Sequence, residues 1–214
     1  MEQIFITLEG LLFTTIIFMN LVRKNRYQVV LYFIQSMALV GLLFSEGIER
    51  NSLELKAVAV LVCALKVVFA PYFFYRSAKN SRLNLMTTTY LNIPMTLSAI
   101  VLIIFFCNST IFEPLQVFSI YGPKISTMLF SSIFLSIFIL INRKGALSQI
   151  IGILSVENSI VALGFFMGLN QTLAIEVGIL FDVLVWIVLA IFFIEIIYKH
   201  LGSVNVTDLN KLKK

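Results

Sequence analysis

Long stretches of apolar residues, broken only by short polar segments, are the feature that most constrains the fold of this chain. A helix needs about 20 mainly apolar residues to cross the hydrocarbon core of a bilayer. The stretches are continuous, whereas the strands of a membrane β-barrel show short segments of alternating hydrophobicity. The sequence therefore predicts an all-α integral membrane protein with about seven transmembrane helices, at residues 3–21, 27–45, 53–75, 89–107, 124–142, 147–169 and 173–198.

The composition agrees with lipid as the main solvent. Charged residues make up only 13% of the 214 residues, whereas soluble proteins carry about 25%. The net charge of +5 is no sign of nucleic-acid binding, because the basic residues lie in short clusters between the apolar stretches. Cys63 and Cys107 lie in separate stretches without metal-type spacing, so we interpret both as packing residues.

The distribution of charges predicts the orientation. Twelve of the sixteen Lys and Arg residues fall on one side of the seven-helix arrangement: Arg23, Lys24, Arg26, Arg76, Lys79, Arg82, Arg143, Lys144, Lys199, Lys211, Lys213 and Lys214. Most acidic residues fall on the other side: Glu2, Glu46, Glu49, Glu54, Glu113 and Glu176. Basic loops are retained in the cytoplasm. We therefore predict an N-terminus outside and a C-terminus in the cytoplasm.

Two parts of the chain share a pattern that indicates an internal repeat. In each part a basic turn, at 23–25 or 143–145, is followed by a helix with a polar cluster in its middle, at 35–36 or 157–159. The next helix carries an ionisable residue near its centre: Lys66 in the first part and Asp182 in the second. A unit of three helices ends on the side opposite its start, so one extra helix must precede a second copy in the same orientation.

This reasoning predicts a 3+1+3 parallel duplication, a type of repeat known in transporters. The predicted units are a first three-helix repeat at 1–82, a linker with the fourth helix at 83–123, a second three-helix repeat at 124–201 and a cytoplasmic tail at 202–214.

Four ionisable residues, Glu9, Lys66, Glu157 and Asp182, fall well inside predicted membrane helices. A charge at the centre of such a helix costs about 2.5–3.5 kcal/mol in insertion experiments, and intramembrane ionisable residues often mark ion pathways. We therefore take these four as candidates for ion translocation, with Asn158, Ser155 and Gln35 as supporting polar groups. The alternative is structural: Lys66 and Asp182 would form an ion pair that joins the repeats, with Glu157 hydrogen-bonded to Asn158 or Ser155.

Several segments resemble one family of membrane subunits. They are QIIGILSVENSIVALGFF, which follows Arg143-Lys144, AIEVGILFDVLVWIVLA, the tail SVNVTDLNKLK, and the earlier segments ALKVVFAPYFFYRSAK and RKNRYQVVLYFIQSMALV. Together they resemble the E component of hydrogenase-4-type complexes. The last 75 or so residues, which carry the resemblance most strongly, are also similar to the K subunit of complex I and to the C subunit of Mrp-type antiporters.

The resemblance implies a role in proton or sodium translocation beside antiporter-like subunits of a membrane-bound hydrogenase or formate hydrogenlyase complex. It implies no cofactor in this chain, nickel–iron and iron–sulfur centres on partner subunits, and a location in the inner membrane of a prokaryotic cell. One departure concerns the K-type glutamate, which would fall at Leu154, whereas the carboxylate here is Glu157. The third-helix carboxylate of the K type falls near Asp182.

Other functions also fit seven helices. A stand-alone transporter fits the 3+1+3 arrangement, although the Pro-Gln motifs of SWEET-type carriers do not occur in the sequence. A retinal receptor would place its lysine on the last helix, whereas Lys66 lies on the third. A non-conducting assembly scaffold is the third alternative.

Overall fold

The computed structural model describes residues 2–72, 74, 88–116 and 122–167. In this part of the chain the secondary structure is helical, apart from turns and isolated bridge residues, which include the pair Thr89 and Arg143. The helices are α1 (Glu2–Leu21), α2 (Asn25–Glu49), α3 (Leu53–Val62), α4 (Ile93–Cys107), the short α5 (Glu113–Gln116), α6 (Pro123–Asn142) and α7 (Ala146–Phe166). A π-helix at Cys63–Phe69 continues α3, and a 3₁₀ turn at Thr110–Phe112 precedes α5.

Five helices among the described residues are long and apolar enough to cross a membrane: Gln3–Leu21, Asn25–Glu49, Leu55–Tyr72, Pro123–Asn142 and Ala146–Phe166. They match five of the predicted spans. The fourth predicted span corresponds to α4, whose 15 residues extend about 22 Å at 1.5 Å per residue. The predicted span at 173–198 lies outside the described residues.

Outward-facing side chains of these helices are largely apolar. Val60, Val68, Val101, Leu102 and Phe105 are each between 63% and 75% exposed. Extended exposed apolar surface is uncommon on soluble monomers. In lipid such a surface is well solvated, which fits the expectation of a membrane protein.

Buried residues of α1 and α6 recur at alternating intervals of four and three residues. In α1 they are Phe5, Glu9, Leu12, Ile16 and Met19. In α6 they are Ile125, Leu129, Ser132, Ser136 and Ile139. This spacing places one stripe of each helix towards the centre of the bundle, and the stripes lie 120 positions apart in the sequence.

Helices α2 and α7 contact each other through residues with the same separation. The Ser148 hydroxyl donates to Gln28, and the Ser155 hydroxyl donates to Gln35; both pairs are 120 residues apart. Since both contacts keep one register, α2 and α7 run parallel.

The basic turns at 23–25 and 143–145 lie at the same end of the bundle. Arg143 at the end of α6 donates to backbone carbonyls at the end of α1. The segment before α4 joins them, because Lys144 N–H donates to Thr88 at 3.1 Å and Tyr90 N–H donates to Asn142 at 2.9 Å. We call this the basic end. The α2–α3 turn lies at the other end, which we call the acidic end because Glu46 and Glu49 precede the turn.

Candidate functional site

The candidate site is centred on Lys66, which lies in the π-helical segment. Its Nζ donates to Glu157 Oε1 at 2.8 Å and to Asn158 Oδ1 at 2.9 Å. The Lys66 side chain is 1% exposed and the Glu157 side chain is 22% exposed. This contact joins the third helix of the first predicted repeat to the second helix of the second repeat.

Both charged groups lie near the middle of their helices. Glu157 is 11 residues from Ala146, the first residue of α7, a distance of about 16 Å from the basic end. Lys66 is 13 residues from Leu53, the first residue of α3, which places it about 20 Å from the acidic end. For a hydrocarbon core of about 30 Å, the pair is therefore at mid-depth.

The end of the π-helix has a local cause in the sequence. The Ala70 N–H bonds to the carbonyl of Leu65, five residues earlier, which is the π-helical pattern. The next bond of that pattern would run from residue 71 to Lys66, but Pro71 has no N–H to donate. The π-helical segment therefore ends at Phe69, with Lys66 in its middle, and π-helical turns are frequent at functional sites.

Polar side chains of α2 continue the site on the other side of α7. Asn158 Nδ2 donates to Ser36 Oγ at 3.3 Å, so the Asn158 amide connects Lys66 with α2. One turn away, Ser155 Oγ donates to Gln35 Oε1 at 2.9 Å. We call Lys66, Glu157, Asn158, Ser36, Gln35 and Ser155 the polar cluster.

The structure brings together two of the four ionisable residues predicted from the sequence. Lys66 and Glu157 form the pair, and all three supporting residues, Asn158, Ser155 and Gln35, belong to the polar cluster. The structural alternative paired Lys66 with Asp182, whereas the partner seen here is Glu157; Asp182 itself lies outside the described residues.

Glu9 lies apart from the polar cluster. Its side chain is fully buried in the inward stripe of α1, and neither carboxyl oxygen has a hydrogen-bond partner among the described residues. The contacts therefore do not connect Glu9 with the Lys66–Glu157 pair.

Arg143 is the buried charge that sequence reasoning missed, because its place in a basic turn indicated only the orientation of the chain. Its side chain is fully buried, and Nη2 donates to the carbonyls of Met19, Asn20 and Val22 at 2.6–2.8 Å. The last carbonyls of a helix lack partners within it, so Arg143 completes the end of α1. Burial lowers the pKa of the Arg143 guanidinium to about 10, with a further contribution from the charge of Arg23, so the group stays charged at neutral pH.

A second set of polar contacts lies between the polar cluster and the basic end. Ser148 Oγ donates to Gln28 Oε1 at 2.5 Å and lies 3.2 Å from Asn25 Oδ1. Gln28 Nε2 donates to the carbonyl of Met19 at 3.2 Å. Gln28 and Ser148 are visible in the sequence as polar positions inside apolar stretches, although nothing in the sequence pairs them.

No group of three or more His, Cys, Asp or Glu side chains among the described residues is placed to hold a metal ion. Comparisons of the chain with family profiles, with curated proteins and with solved structures found no match.

Proposed function

We propose that this chain is a membrane subunit of a multisubunit, energy-converting complex of the hydrogenase type. In this proposal it contributes to proton (or sodium) translocation in the cytoplasmic membrane of a prokaryotic cell. The observation that supports translocation is the Lys66–Glu157–Asn158 arrangement at mid-depth. The resemblance of the sequence to hydrogenase-4 component E supports the choice of complex.

The geometry suits transfer of a proton within a pair of groups. The ammonium of Lys66 lies within hydrogen-bonding distance of the Glu157 carboxylate, so one proton moving from nitrogen to oxygen converts the ion pair into two neutral groups. Asn158 accepts a second hydrogen bond from Lys66 and holds the lysine in place while the charge changes. About a fifth of the Glu157 side chain is exposed within the described part of the chain, which gives a neighbouring group access to the carboxyl.

The redox chemistry belongs to partner subunits in this proposal. This chain would bind no redox cofactor and would not be an enzyme by itself; the nickel–iron and iron–sulfur centres would lie on a soluble module. Antiporter-like membrane subunits would lie beside it, and Asp182 would extend the ion path from Glu157. Glu9 would serve as a separate access group.

Replacement of Glu157 tests the role in translocation. We expect E157Q to lower proton uptake per hydrogen oxidised by about tenfold or more, because loss of a positioned proton-transfer group usually costs at least this much. The measurement is dye-detected proton uptake by inverted membrane vesicles that contain the whole complex, with hydrogen oxidation recorded in parallel. The matched control is E46Q, which removes a carboxylate that pairs with Arg50 near the acidic end. Wild-type coupling in E157Q contradicts the proposal.

A scaffold role makes a different prediction for the double variant K66M/E157M. Apolar replacement of both members of a buried ion pair is often neutral or stabilising, so the variant should assemble in either case. A scaffold would retain full coupling, whereas a translocation site would lose it. This variant also decides the question where E157Q alone prevents assembly.

The identity of the complex is tested separately. A tagged chain purified in mild detergent should bring down a nickel–iron hydrogenase, recognised by mass spectrometry and by hydrogen-dependent dye reduction. Purification of the chain alone, together with solute uptake by liposomes that contain it, would favour the stand-alone transporter.

A further inference from the structure

Buried residues on one face of α7 change from polar to apolar along the helix. Ser148, Ser155 and Ala162 follow one another at intervals of seven residues, so they share a face, and all three are fully buried. The two serines lie in the half of α7 that starts at the basic end, and Ala162 lies in the other half. Phe166, one turn beyond Ala162, is also fully buried.

The opposing face of α2 changes in the same way and at the same depth. Gln28, Gln35 and Leu42 are also seven residues apart and fully buried. Since Gln28 contacts Ser148 and Gln35 contacts Ser155, the two faces lie against each other. At these positions the interface is thus polar between the basic end and the Lys66–Glu157 pair, with the buried Ile151 between the two serines, and apolar beyond the pair.

Two buried polar atoms, one in the polar half and one on the neighbouring α1, have hydrogen-bonding capacity left over. Gln35 Nε2 and Asn20 Oδ1 have no partner among the described residues, and the side chains are 0% and 2% exposed. Asn20 lies near the end of α1, where its amide nitrogen donates to the carbonyl of Leu135 at 3.2 Å. Buried polar groups in this state commonly bind water, typically through about three hydrogen bonds per molecule.

The Tyr32 hydroxyl lies beside the polar cluster. Tyr32 is four residues after Gln28 and three before Gln35, and its side chain is fully buried. The hydroxyl lies near Ser36 but without a hydrogen bond of normal geometry to a described residue. It therefore offers a further polar group beside Ser36, at the end of the polar half that adjoins the Lys66–Glu157 pair.

We propose that water enters the α2–α7 interface from the basic end and reaches Lys66. We call this route the half-path, because the apolar layer around Leu42, Ala162 and Phe166 closes it towards the acidic end. Protons would reach the pair from one side only and would leave by another route. This inference deepens the proposed function and rests on it, since it assigns the side from which the translocation site is filled.

Cysteine labelling tests the half-path without any need for transport activity. The variants are S148C, S155C and A162C, each in a chain whose native cysteines are replaced (C63A/C107A) and each in the full complex in membrane vesicles. The reagent is a membrane-impermeant methanethiosulfonate ammonium compound, added to one side of the vesicles at a time. A162C is the matched control, because it has the same helix face and the same burial as the two serines.

We expect S148C and S155C to react from the side of the basic turns at least about tenfold faster than A162C, since thiolate formation and reagent access both require water. Equal rates in all three variants, no reaction at S155C, or reaction of S155C from the acidic end would each overturn the half-path. The series Q28C, Q35C and L42C on α2 repeats the test where a serine variant does not assemble. If S155C does not react while E157Q still loses coupling, the half-path is wrong and the translocation site stands.

Discussion

At the scale of single residues, two buried cations are stabilised in different ways. Lys66 is matched by the opposite charge of Glu157 and by the amide oxygen of Asn158. Arg143 is matched by three backbone carbonyls that carry only partial charges. The first arrangement changes its charge when one proton moves, whereas the second does not. Lys66 is therefore suited to ion transfer, and Arg143 is suited to holding α1 against α6.

Replacement of Arg143 should destabilise the protein. We expect R143Q to lower the free energy of unfolding by about 2–4 kcal/mol, because hydrogen bonds to a charged group contribute about 1.5–3 kcal/mol and the carbonyls of α1 lose their partner. R143K should fall between R143Q and wild type, because an ammonium keeps the charge but lacks the planar fork of the guanidinium. The measurement is thermal unfolding in detergent, followed by tryptophan fluorescence or by exposure of the native cysteines.

The neighbouring residue provides the control for Arg143. Lys144 carries the same charge in the same turn but places its Nζ 4.6 Å from the centre of the Tyr90 ring, and exposed cation–π contacts contribute only about 0.5–1 kcal/mol. K144Q should therefore have a small effect. Similar losses in R143Q and K144Q would show that charge at this turn matters and that the buried contacts of Arg143 do not.

At the scale of helices, close approach depends on where small residues occur. Gly47 in the last turns of α2 faces the start of α3. A Cβ atom built on it would lie 3.0 Å from Cγ of Lys56 and 3.1 Å from the backbone nitrogen of Lys56. The backbone of α3 yields less easily than a side chain, so a Cβ atom at this position would crowd the contact.

Alanine at Gly47 and at Gly10 should have opposite effects. Both glycines lie in helices, where alanine is favoured over glycine by about 0.8–1.0 kcal/mol in peptides. A Cβ atom on Gly10 meets no heavy atom within 4 Å, so G10A should stabilise α1 or leave it unchanged. G47A should destabilise the protein by about 1–3 kcal/mol, the usual cost of overpacking. Thermal unfolding measures both, and a stabilised G47A would contradict the close α2–α3 contact.

At the scale of the whole molecule, the repeated separation of 120 residues indicates how the two halves pack. Residues with this separation meet at the α2–α7 interface, and the inward stripes of α1 and α6 show the same separation. Arg143 joins the ends of α1 and α6. The two helices that open each predicted unit are therefore paired in parallel, whereas the last helix predicted for the second unit, at 173–198, lies outside the described residues.

Cross-linking tests this register in the membrane. The pair Q28C/S148C, in the C63A/C107A background, should be joined rapidly by a short bifunctional thiol reagent, because the native side chains are in contact. The pair Q28C/A162C should not react, since Ala162 is 14 residues beyond Ser148 in α7, or about 21 Å along the helix. The readout is a shift in mobility after proteolytic cleavage between the halves. Efficient linkage of the second pair would show that α2 and α7 do not run parallel.

Much of the candidate site was predicted from the sequence, because an ionisable residue inside an apolar stretch is conspicuous. Lys66 and Glu157 were chosen in this way, and Asn158, Ser155 and Gln35 were chosen as supporting polar groups. The pairing of Lys66 with Glu157 was not predicted. It joins residues 91 positions apart and depends on how the π-helical segment turns towards α7, which hydropathy does not encode.

The sequence by itself determined the helices and the ends of five spans to within a few residues. The physical reason is that backbone groups in lipid must bond within their own segment, so the length and apolarity of each stretch decide its structure locally. Tertiary structure alone decided which buried charges meet, because contacts between helices depend on rotation and register over distances that local hydrogen bonding does not control. Arg143 illustrates the difference: its position after an apolar stretch placed it at a turn, but only the packing of α6 on α1 placed it at three backbone carbonyls.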